Sequence, residues 1–341
     1  MNSKTQRHSP KCRRSHPQDK KRKRQYRIRN WNEYNAALVQ RGSLTLWVDE
    51  TALADWHYHH YNGQPGKPRI YSDLAITCMA TLQVVYRLPL RATQGLLSSV
   101  LQLLGVNLEV PHYSTLCRRR QTLAVSLPVR AKQEPLHLVV DSTGLKIFGE
   151  GEWKVRQHGW SKHRTWRKVH LGVDEASGEL LAAVVSIPLL HDKDVLPDLL
   201  EQAVPSGVSL AQVSGDGAYD FMTCYRDIEH RGARATIPPR RNACPNTRGE
   251  TPQRDATLRR IQELAGHSKS KKHQELARKQ WKEESGYHRR SLAETAVFRL
   301  KNIFGDKLSS RGFQAQANEV FLRCATLNRM THLGMPQSYA I

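Results

Sequence analysis

The hydrophobic pattern of this chain changes character at about residue 134. Before that point, apolar positions recur every three or four residues, as on one face of a helix. Ser72 and Asp73 precede one such run and Pro89 precedes the next, and these residue types favour helix beginnings. After residue 134 the apolar runs become short and alternate with helical segments, which is typical of a sheet with helices packed on it.

The second region is predicted to contain five strands in a mixed sheet. The first three strands follow one another closely and should form an antiparallel meander. The last two alternate with helices at 194–204 and 219–231, so helices should cover both faces. The strands are predicted at 136–140, 166–174, 180–187, 208–214 and 233–237. We therefore assign the chain to the α/β class, with a final packing helix at 314–329.

Three parts follow from these boundaries: a basic tail at 1–25, a helical region at 26–130 and an α/β domain at 131–341. The tail is rich in Lys and Arg and lacks apolar periodicity, so it is predicted to be disordered. It is either a DNA-grasping arm or an extension without a specific role. A basic, polar segment at about 240–284 interrupts the α/β domain. We interpret it as an insertion near the functional site, with DNA contact as one role.

The charge of the chain indicates a polyanionic partner. It carries 53 Lys and Arg residues against 31 Asp and Glu residues, a net charge of +22. Such an excess attracts nucleic acid, with an affinity that should fall steeply as salt rises. No apolar run is long enough for a membrane span and no secretory signal is evident, so a cytoplasmic location is expected. The six cysteines lack zinc-binding spacing and are expected to be reduced.

The helical region has the outline of a helix-turn-helix. Two core helices and a turn are followed by a short helix that Ser114 is predicted to cap. The short helix carries three cations that we predict to contact DNA: Arg118, Arg119 and Arg120. The alternative is a plain helical bundle with a basic rim.

The most ordered polar pattern lies in the segment 286–305. If the segment is one helix, four polar residues fall within about 60° of one another at 100° per residue. They are Tyr287, Arg290, Glu294 and Lys301. One acid among two cations and a phenol suits a metal ion beside a phosphate group. The alternative is an amphipathic helix with incidental charges.

Three acids stand where a metal site can be assembled. Asp141 follows the first predicted strand, Asp216 follows the fourth between two glycines, and Glu294 lies in the polar pattern. Gaps of 75 and 78 residues (216 − 141 and 294 − 216) mean that only the fold can bring them together. Taken singly, the aspartates can be turn residues and Glu294 a surface acid. Asp192 and Asp220 have a simpler interpretation as helix caps.

The three acids form an all-oxygen ligand set, because no Cys or His is paired with them. Such a set favours Mg²⁺, with Mn²⁺ as a substitute, over zinc. Carboxylate sites of this kind hold two ions about 3.5–4 Å apart and serve in-line phosphoryl transfer. The sequence lacks a nucleophile elbow and a Gly-rich phosphate loop, so no covalent enzyme intermediate is predicted.

Several of these motifs together match a known family. The four polar residues of 286–305 fit the signature Tyr-x2-Arg-x3-Glu-x6-Lys without a gap. Further matches lie at 139–146, 149–154, 216–220 and 237–240. From about residue 26 to 341 the chain resembles a DDE transposase of the insertion-sequence-five family, whereas the tail at 1–25 departs from the family pattern.

The resemblance implies a ribonuclease-H-like catalytic domain after an N-terminal helical region that recognises DNA. It also implies that the metal-binding triad consists of Asp141, Asp216 and Glu294. The other members of the signature would contact the terminal phosphate of the element: Tyr287, Arg290 and Lys301.

The function implied is DNA transposition. A transposase would bind the terminal inverted repeats of an insertion sequence, cleave at its ends and join the 3′-hydroxyl to target DNA. Because two ends must be held together, we expect a homodimer or larger assembly on double-stranded DNA, associated with the bacterial nucleoid. One alternative is a sequence-specific DNA-binding regulator that keeps the fold and has lost catalysis. Another is a non-transposing nuclease of the same fold, which would cut DNA without joining strands.

Overall fold

The structure is a computed structural model that describes residues 26–48, 50–59, 68–127, 134–147, 166–205, 208–246, 249–268 and 270–341. The predicted tail at 1–25 and the matched motif at 149–154 lie outside the described residues. No helix within these ranges has the length and apolar character needed to cross a membrane. The cysteines in these ranges are free thiols.

The described part of the chain before residue 128 is mainly helical. Its elements are β1 (Tyr26–Ile28), α1 (Trp31–Gln40), α2 (Leu44–Trp47), α3 (Glu50–Ala54), α4 (Asp73–Tyr86), α5 (Leu90–Leu103) and α6 (Tyr113–Arg119). Ser72 begins α4, because its hydroxyl oxygen accepts a hydrogen bond from the Ala75 backbone N–H at 3.0 Å. The helix ends at Arg87, whose left-handed backbone (φ 55°) cannot continue it.

A mixed sheet forms the second part of the molecule. Its described strands are β2 (Leu136–Ile147), β3 (Trp166–Asp174), β4 (Leu180–Ser186), β5 (Leu210–Ser214), β6 (Arg234–Thr236) and β7 (Lys307–Leu308). The row runs β4-β3-β2-β5-β6, and β7 pairs with β2 outside that row. The first three strands form an antiparallel meander, whereas β5 runs parallel to β2 and β6 parallel to β5.

Helices cover both faces of this sheet. They are α7 (Asp192–Ala203), α8 (Met222–His230), α9 (Pro252–Leu264), α10 (Lys271–Glu284), α11 (Ser291–Phe304) and α12 (Phe313–Leu333), and β8 (Ser338–Ala340) returns to pair with β1. Val139 and Leu145 face the side covered by α4, α11 and α12. Leu138 and Val140 face the side covered by α7 and α8. The first of these hydrophobic clusters includes residues from both sides of the predicted border at 130.

The predicted α/β class and mixed sheet are confirmed, with two corrections in the strands. The sequence predicted five strands, and the structure adds β7, which pairs with Lys146 and Ile147. The first strand also continues to Ile147, so Asp141 lies within β2 rather than after its end. Beyond Val140 the strand is mostly half-buried, and it therefore lacks the apolar run by which a strand is recognised.

A buried ion cluster ties the N-terminal helices to α12. Arg120 is 5% exposed and donates to Glu319 at 3.0 Å and to Ser310 at 2.6 Å. Arg323 donates to the same carboxylate at 2.7 Å. Burial opposes ionisation, but Arg323, the Ser309 backbone N–H and Arg120 hold the pKa of Glu319 below its ordinary value. The predicted DNA contact of Arg120 is therefore wrong, because its guanidinium is bound inside the protein.

The two preceding arginines differ from each other. Arg119 donates to the Asp73 carboxylate at 2.5 Å, and only 12% of its side chain is exposed. It fastens α6 to the start of α4, and its DNA contact stays a prediction. Arg118 is exposed, and its DNA contact stays a prediction.

We expect Arg120→Ala to lower the free energy of unfolding by about 2–4 kcal/mol, since it leaves buried Glu319 with one cation fewer. Arg118→Ala is the matched control and should change it by less than about 0.5 kcal/mol. Urea unfolding followed by circular dichroism measures both values. Similar values for the two variants would show that the buried arginine is not structural.

Candidate active site

The pairing of two parallel strands brings Asp141, within β2, next to Asp216, just beyond the end of β5. The last paired residues of β2 and β5 are Val139 and Ser214, and each aspartate comes two residues later. Parallel neighbours lie about 4.8 Å apart, so the two carboxylates leave the sheet side by side. On this side of β2, β5 pairs no further than Val139 and β7 pairs only from Lys146 onward. Asp141 therefore lies at a gap in the row of described strands.

The loop that carries Asp216 is held tightly against the sheet. A Cβ atom at Gly215 would lie 2.9 Å from the Tyr219 ring and 3.1 Å from the Val140 side chain, so glycine is needed for this approach. Asp216 begins a 3₁₀ turn, and its Oδ1 accepts a hydrogen bond from the Ala218 backbone N–H at 2.8 Å. This bond fixes the direction of the carboxylate.

Glu294 reaches the same place from α11, which packs its buried Ala296 and Leu300 against the sheet. The segment 286–305 is not the single α-helix that was predicted. Tyr287–Arg290 forms a 3₁₀ turn ahead of α11. The 3₁₀ turn still leaves Tyr287, Arg290 and Glu294 close to one another, as their contacts show.

Arg290 joins two of the three acids. Its guanidinium donates to Glu294 at 2.7 Å and lies 3.7 Å from the Asp141 carboxylate. The hydroxyl oxygen of Tyr287 accepts a hydrogen bond from the same guanidinium. Asp216 acts electrostatically on both Asp141 and Tyr287. The structure therefore brings these five predicted site residues together.

The surroundings of Asp141 make it harder to ionise. Burial first, and then repulsion from Asp216 and Glu294, raise the pKa of Asp141, although a backbone N–H and Arg290 oppose the rise. Three carboxylates with one guanidinium keep a net negative charge. Lys301 lies further along α11, half-buried, and makes no ion pair with an acid of the described residues.

The donor set fits a divalent metal ion. All three acids offer carboxylate oxygens, which are the ligands that Mg²⁺ and Mn²⁺ prefer. In the present arrangement, no three Asp, Glu, His or Cys side chains of the described residues converge tightly enough to hold one ion. In this arrangement Glu294 is bound to the Arg290 guanidinium at 2.7 Å. Metal binding would require Glu294 to exchange that guanidinium for the ion.

Comparison with known families agrees with this geometry. A family profile described as "Transposase DDE domain" matches residues 132–329, more than half of the chain. The chain belongs to the DDE transposase family. A second profile of the same description matches residues 39–150. The protein is therefore a polynucleotidyl transferase or endonuclease of the DDE type, and this family uses divalent metal ions.

Solved structures similar to this DDE transposase are distant. A piggyBac transposase synaptic complex with hairpin DNA matches with a TM-score of 0.38 and 7% identity, over 87% of this chain and 75% of that one. A simian T-cell lymphotropic virus intasome in complex with PP2A regulatory subunit B56 gamma matches with a TM-score of 0.23 and 14% identity, over 60% and 67%. TM-scores this low do not indicate a shared function.

The transposase has an ion cluster behind the Asp141 strand that the sequence did not reveal. Asp192 was predicted to cap α7, but it accepts from Lys168 at 2.9 Å and lies 3.1 Å from Nδ1 of His170. Burial opposes its charge, yet bonds from His170, Lys168 and Ser142 hold the pKa of Asp192 well below its ordinary value. Because Ser142 follows Asp141, the cluster braces β2 from the face opposite α11. The register of β2 with β3 sets Ser142 opposite His170, and α7 brings Asp192 to them.

The predicted helix cap at Asp220 is also wrong. Its side chain is fully buried and accepts from Nε of Arg254 at 2.7 Å and from the Arg240 backbone N–H at 2.8 Å. Arg254 belongs to α9, in the predicted insertion at 240–284. The insertion is therefore fastened to the loop that carries Asp216.

Removing Arg290 should let the DDE transposase bind Mn²⁺ more tightly without DNA. Arg290→Ala frees Asp141 and Glu294 from the guanidinium, so we expect the dissociation constant for Mn²⁺ to fall by about three- to tenfold. Electron paramagnetic resonance of free Mn²⁺ measures it. Arg289→Ala is the control, since Arg289 carries the same charge but pairs with Glu175. An equal fall in both variants would contradict a specific role for Arg290.

Proposed function

We propose that this DDE transposase binds the terminal inverted repeats of an insertion sequence and catalyses strand cleavage and strand transfer at its ends. The observation that carries the proposal is the convergence of Asp141 and Asp216 at the gap beside β2, with Glu294 joined to that place through Arg290. The signature in 286–305 favours the insertion-sequence-five family. The strand order favours a ribonuclease-H-like catalytic domain.

Asp141, Asp216 and Glu294 would hold two Mg²⁺ ions, or Mn²⁺ in their place, which would supply Lewis-acid activation of the attacking oxygen and charge stabilisation of the leaving oxygen. The protein orients two of the ligands in advance. Asp141 accepts from the Ser142 backbone N–H at 2.9 Å, and Asp216 accepts from Ala218 at 2.8 Å. Glu294 is the adjustable ligand, because it lies on an exposed helix face.

The cations of the signature would bind the terminal phosphate. When Glu294 leaves Arg290, the guanidinium can bind two phosphate oxygens at once, which a lysine cannot. Tyr287 is steadied for hydrogen bonding by Lys282, whose Nζ lies 5.0 Å from the centre of its ring. Lys301 would add a point charge from the same helix.

The proposed partners are double-stranded DNA, as the ends of the element and as the target. The N-terminal helices, which carry the exposed Arg118, would recognise the ends. Two ends must react together, so a homodimer or larger assembly would form on DNA, in the cytoplasm near the nucleoid. The net charge of +22 supports nucleic acid as the partner.

We expect Asp141→Asn to reduce strand cleavage at least about a hundredfold, because the loss of a carboxylate ligand removes several kcal/mol of transition-state stabilisation. End binding should stay within about twofold of the unmodified protein, since base and backbone contacts are unchanged. The measurement is a gel assay of nicking in Mg²⁺ on a duplex from the ends that flank the gene.

The control for this variant is Asp198→Asn, which removes an exposed acid from α7 and should cut normally. Cleavage by Asp141→Asn at the unmodified rate would refute the proposed triad. If the unmodified protein binds the ends without cutting in either metal, the DNA-binding regulator becomes the better interpretation.

The cations are tested by comparing DNA substrates. Arg290→Ala and Lys301→Ala should each weaken binding to a pre-cleaved end by about five- to tenfold more than binding to random duplex, because only the cleaved end presents a terminal phosphate. Fluorescence anisotropy at fixed salt gives both constants. Arg289→Ala should weaken the two equally. Equal losses for all three variants would reduce the signature cations to general backbone contacts.

A further inference from the structure

Two cations near the acids are held by an aromatic ring. Nζ of Lys193 lies 4.7 Å from the centre of the Phe221 ring, and Cζ of Arg240 lies 4.2 Å from it. Lys193 is in the first turn of α7, Phe221 precedes α8, and Arg240 follows β6. We call these three residues the Phe221 group. The ring restricts both long side chains, so less conformational entropy is lost when they bind a ligand.

The Phe221 group lies beside the acids. Phe221 comes directly after Asp220, in the loop that begins with Asp216. The backbone N–H of Arg240 donates to Asp220 at 2.8 Å. Lys193 follows Asp192, which is bonded to Ser142, the neighbour of Asp141.

The group also lies on the face opposite the signature cations. The elements around it, α7 and α8, pack on the face of the sheet that buries Leu138 and Val140. The signature cations belong to α11 and the turn before it, on the face that buries Val139. Asp141 contacts Arg290 on one side, and the loop of Asp216 leads to Phe221 on the other. A DNA strand that passes over the acids would therefore leave one basic group and meet the other.

Within the described part of the chain, the cations of the Phe221 group lack an acid partner. Neither Lys193 nor Arg240 makes an ion pair with an acid of the described residues. Asp192 is engaged by Lys168, and Asp220 by Arg254. Two cations held together without an acid partner can bind an anion, and beside a phosphoryl-transfer site that anion is a nucleic-acid phosphate.

We propose that the Phe221 group is a second phosphate-binding site, which holds the DNA strand on the far side of the bond that is cut or joined. This inference rests on the proposed function and extends it, since the signature cations hold the element end. The strand on the far side is the flanking DNA before cleavage and the target DNA during joining. Both present the same phosphates, so the test distinguishes them.

The test uses the double variant Lys193→Ala/Arg240→Ala and three DNA probes without metal ions, so that nothing is cut. The first probe is an uncut end with its flank, the second a pre-cleaved end without flank, and the third a pre-cleaved end presented with a target duplex. We expect the double variant to lose about tenfold in affinity for the first or the third probe, whichever places DNA in the Phe221 group. Its affinity for the second probe should fall by less than about twofold. Loss on the first probe identifies flanking DNA, and loss on the third identifies target DNA.

Two controls sharpen the result. Arg231→Ala removes a cation from the other end of α8, where it donates to the Asp227 carbonyl oxygen at 3.1 Å, and should leave all three affinities nearly unchanged. Phe221→Leu keeps an apolar side chain but removes the ring that holds the cations, so we expect a smaller loss of about threefold on the same probe. Thermal unfolding of each variant confirms that it is folded.

The inference is overturned if the double variant loses equal affinity on all three probes, loses none, or matches Arg231→Ala. These outcomes differ from a failure of the proposed function. In that case the unmodified protein would not cut the first probe when Mg²⁺ is added, whatever the binding constants of the variants.

Discussion

The parallel pairing of β2 with β5 is the constraint on which the site depends. It sets the residues two positions beyond Val139 and Ser214 side by side, and the chain has an aspartate at each. The register is locked because Val139 and Val140 are buried on opposite faces. A shift of the β2 register by one residue would move every β2 side chain to the opposite face of the sheet. Asp141 would then face the hydrophobic cluster that now buries Val140. The positions of the acids are therefore enforced by hydrophobic packing, which overcomes their mutual repulsion.

Charge is arranged on two length scales. The chain as a whole is strongly basic and attracts DNA from a distance, whereas its centre is a cluster of acids. At short range a phosphate and these carboxylates repel each other unless cations lie between them. Arg290 contacts two of the acids, so a phosphate that takes its guanidinium would leave those acids free for a metal ion. Binding of either should strengthen binding of the other once Arg290 has moved to a phosphate.

Much of the fold follows from the sequence, because its strands are short apolar runs between clear turns. The strand at Trp166–Asp174 was predicted to the residue. The sequence did not predict side-chain contacts between residues that are far apart along the chain. The buried surroundings of Arg120 come from α12, and the partners of Asp192 come from β3. The sequence does not show whether the arginines at 118–120, or an acid such as Asp192 at the start of a helix, are exposed or buried. The acids of the candidate site were recognised because a local signal precedes each of them. An apolar run precedes Asp141, a strand end precedes Asp216, and a cationic turn precedes Glu294.

The buried bond between Asp220 and Arg254 has a mechanical consequence. Detaching the inserted helices would leave the Asp220 carboxylate uncompensated inside the protein, at a cost of about 3–5 kcal/mol. Fewer than about one molecule in a hundred would be detached at equilibrium. The inserted helices are therefore fastened to the loop that carries Asp216, and Trp281 of α10 packs against Ile261 of α9. A ligand that displaces α10 would then shift the position of Asp216.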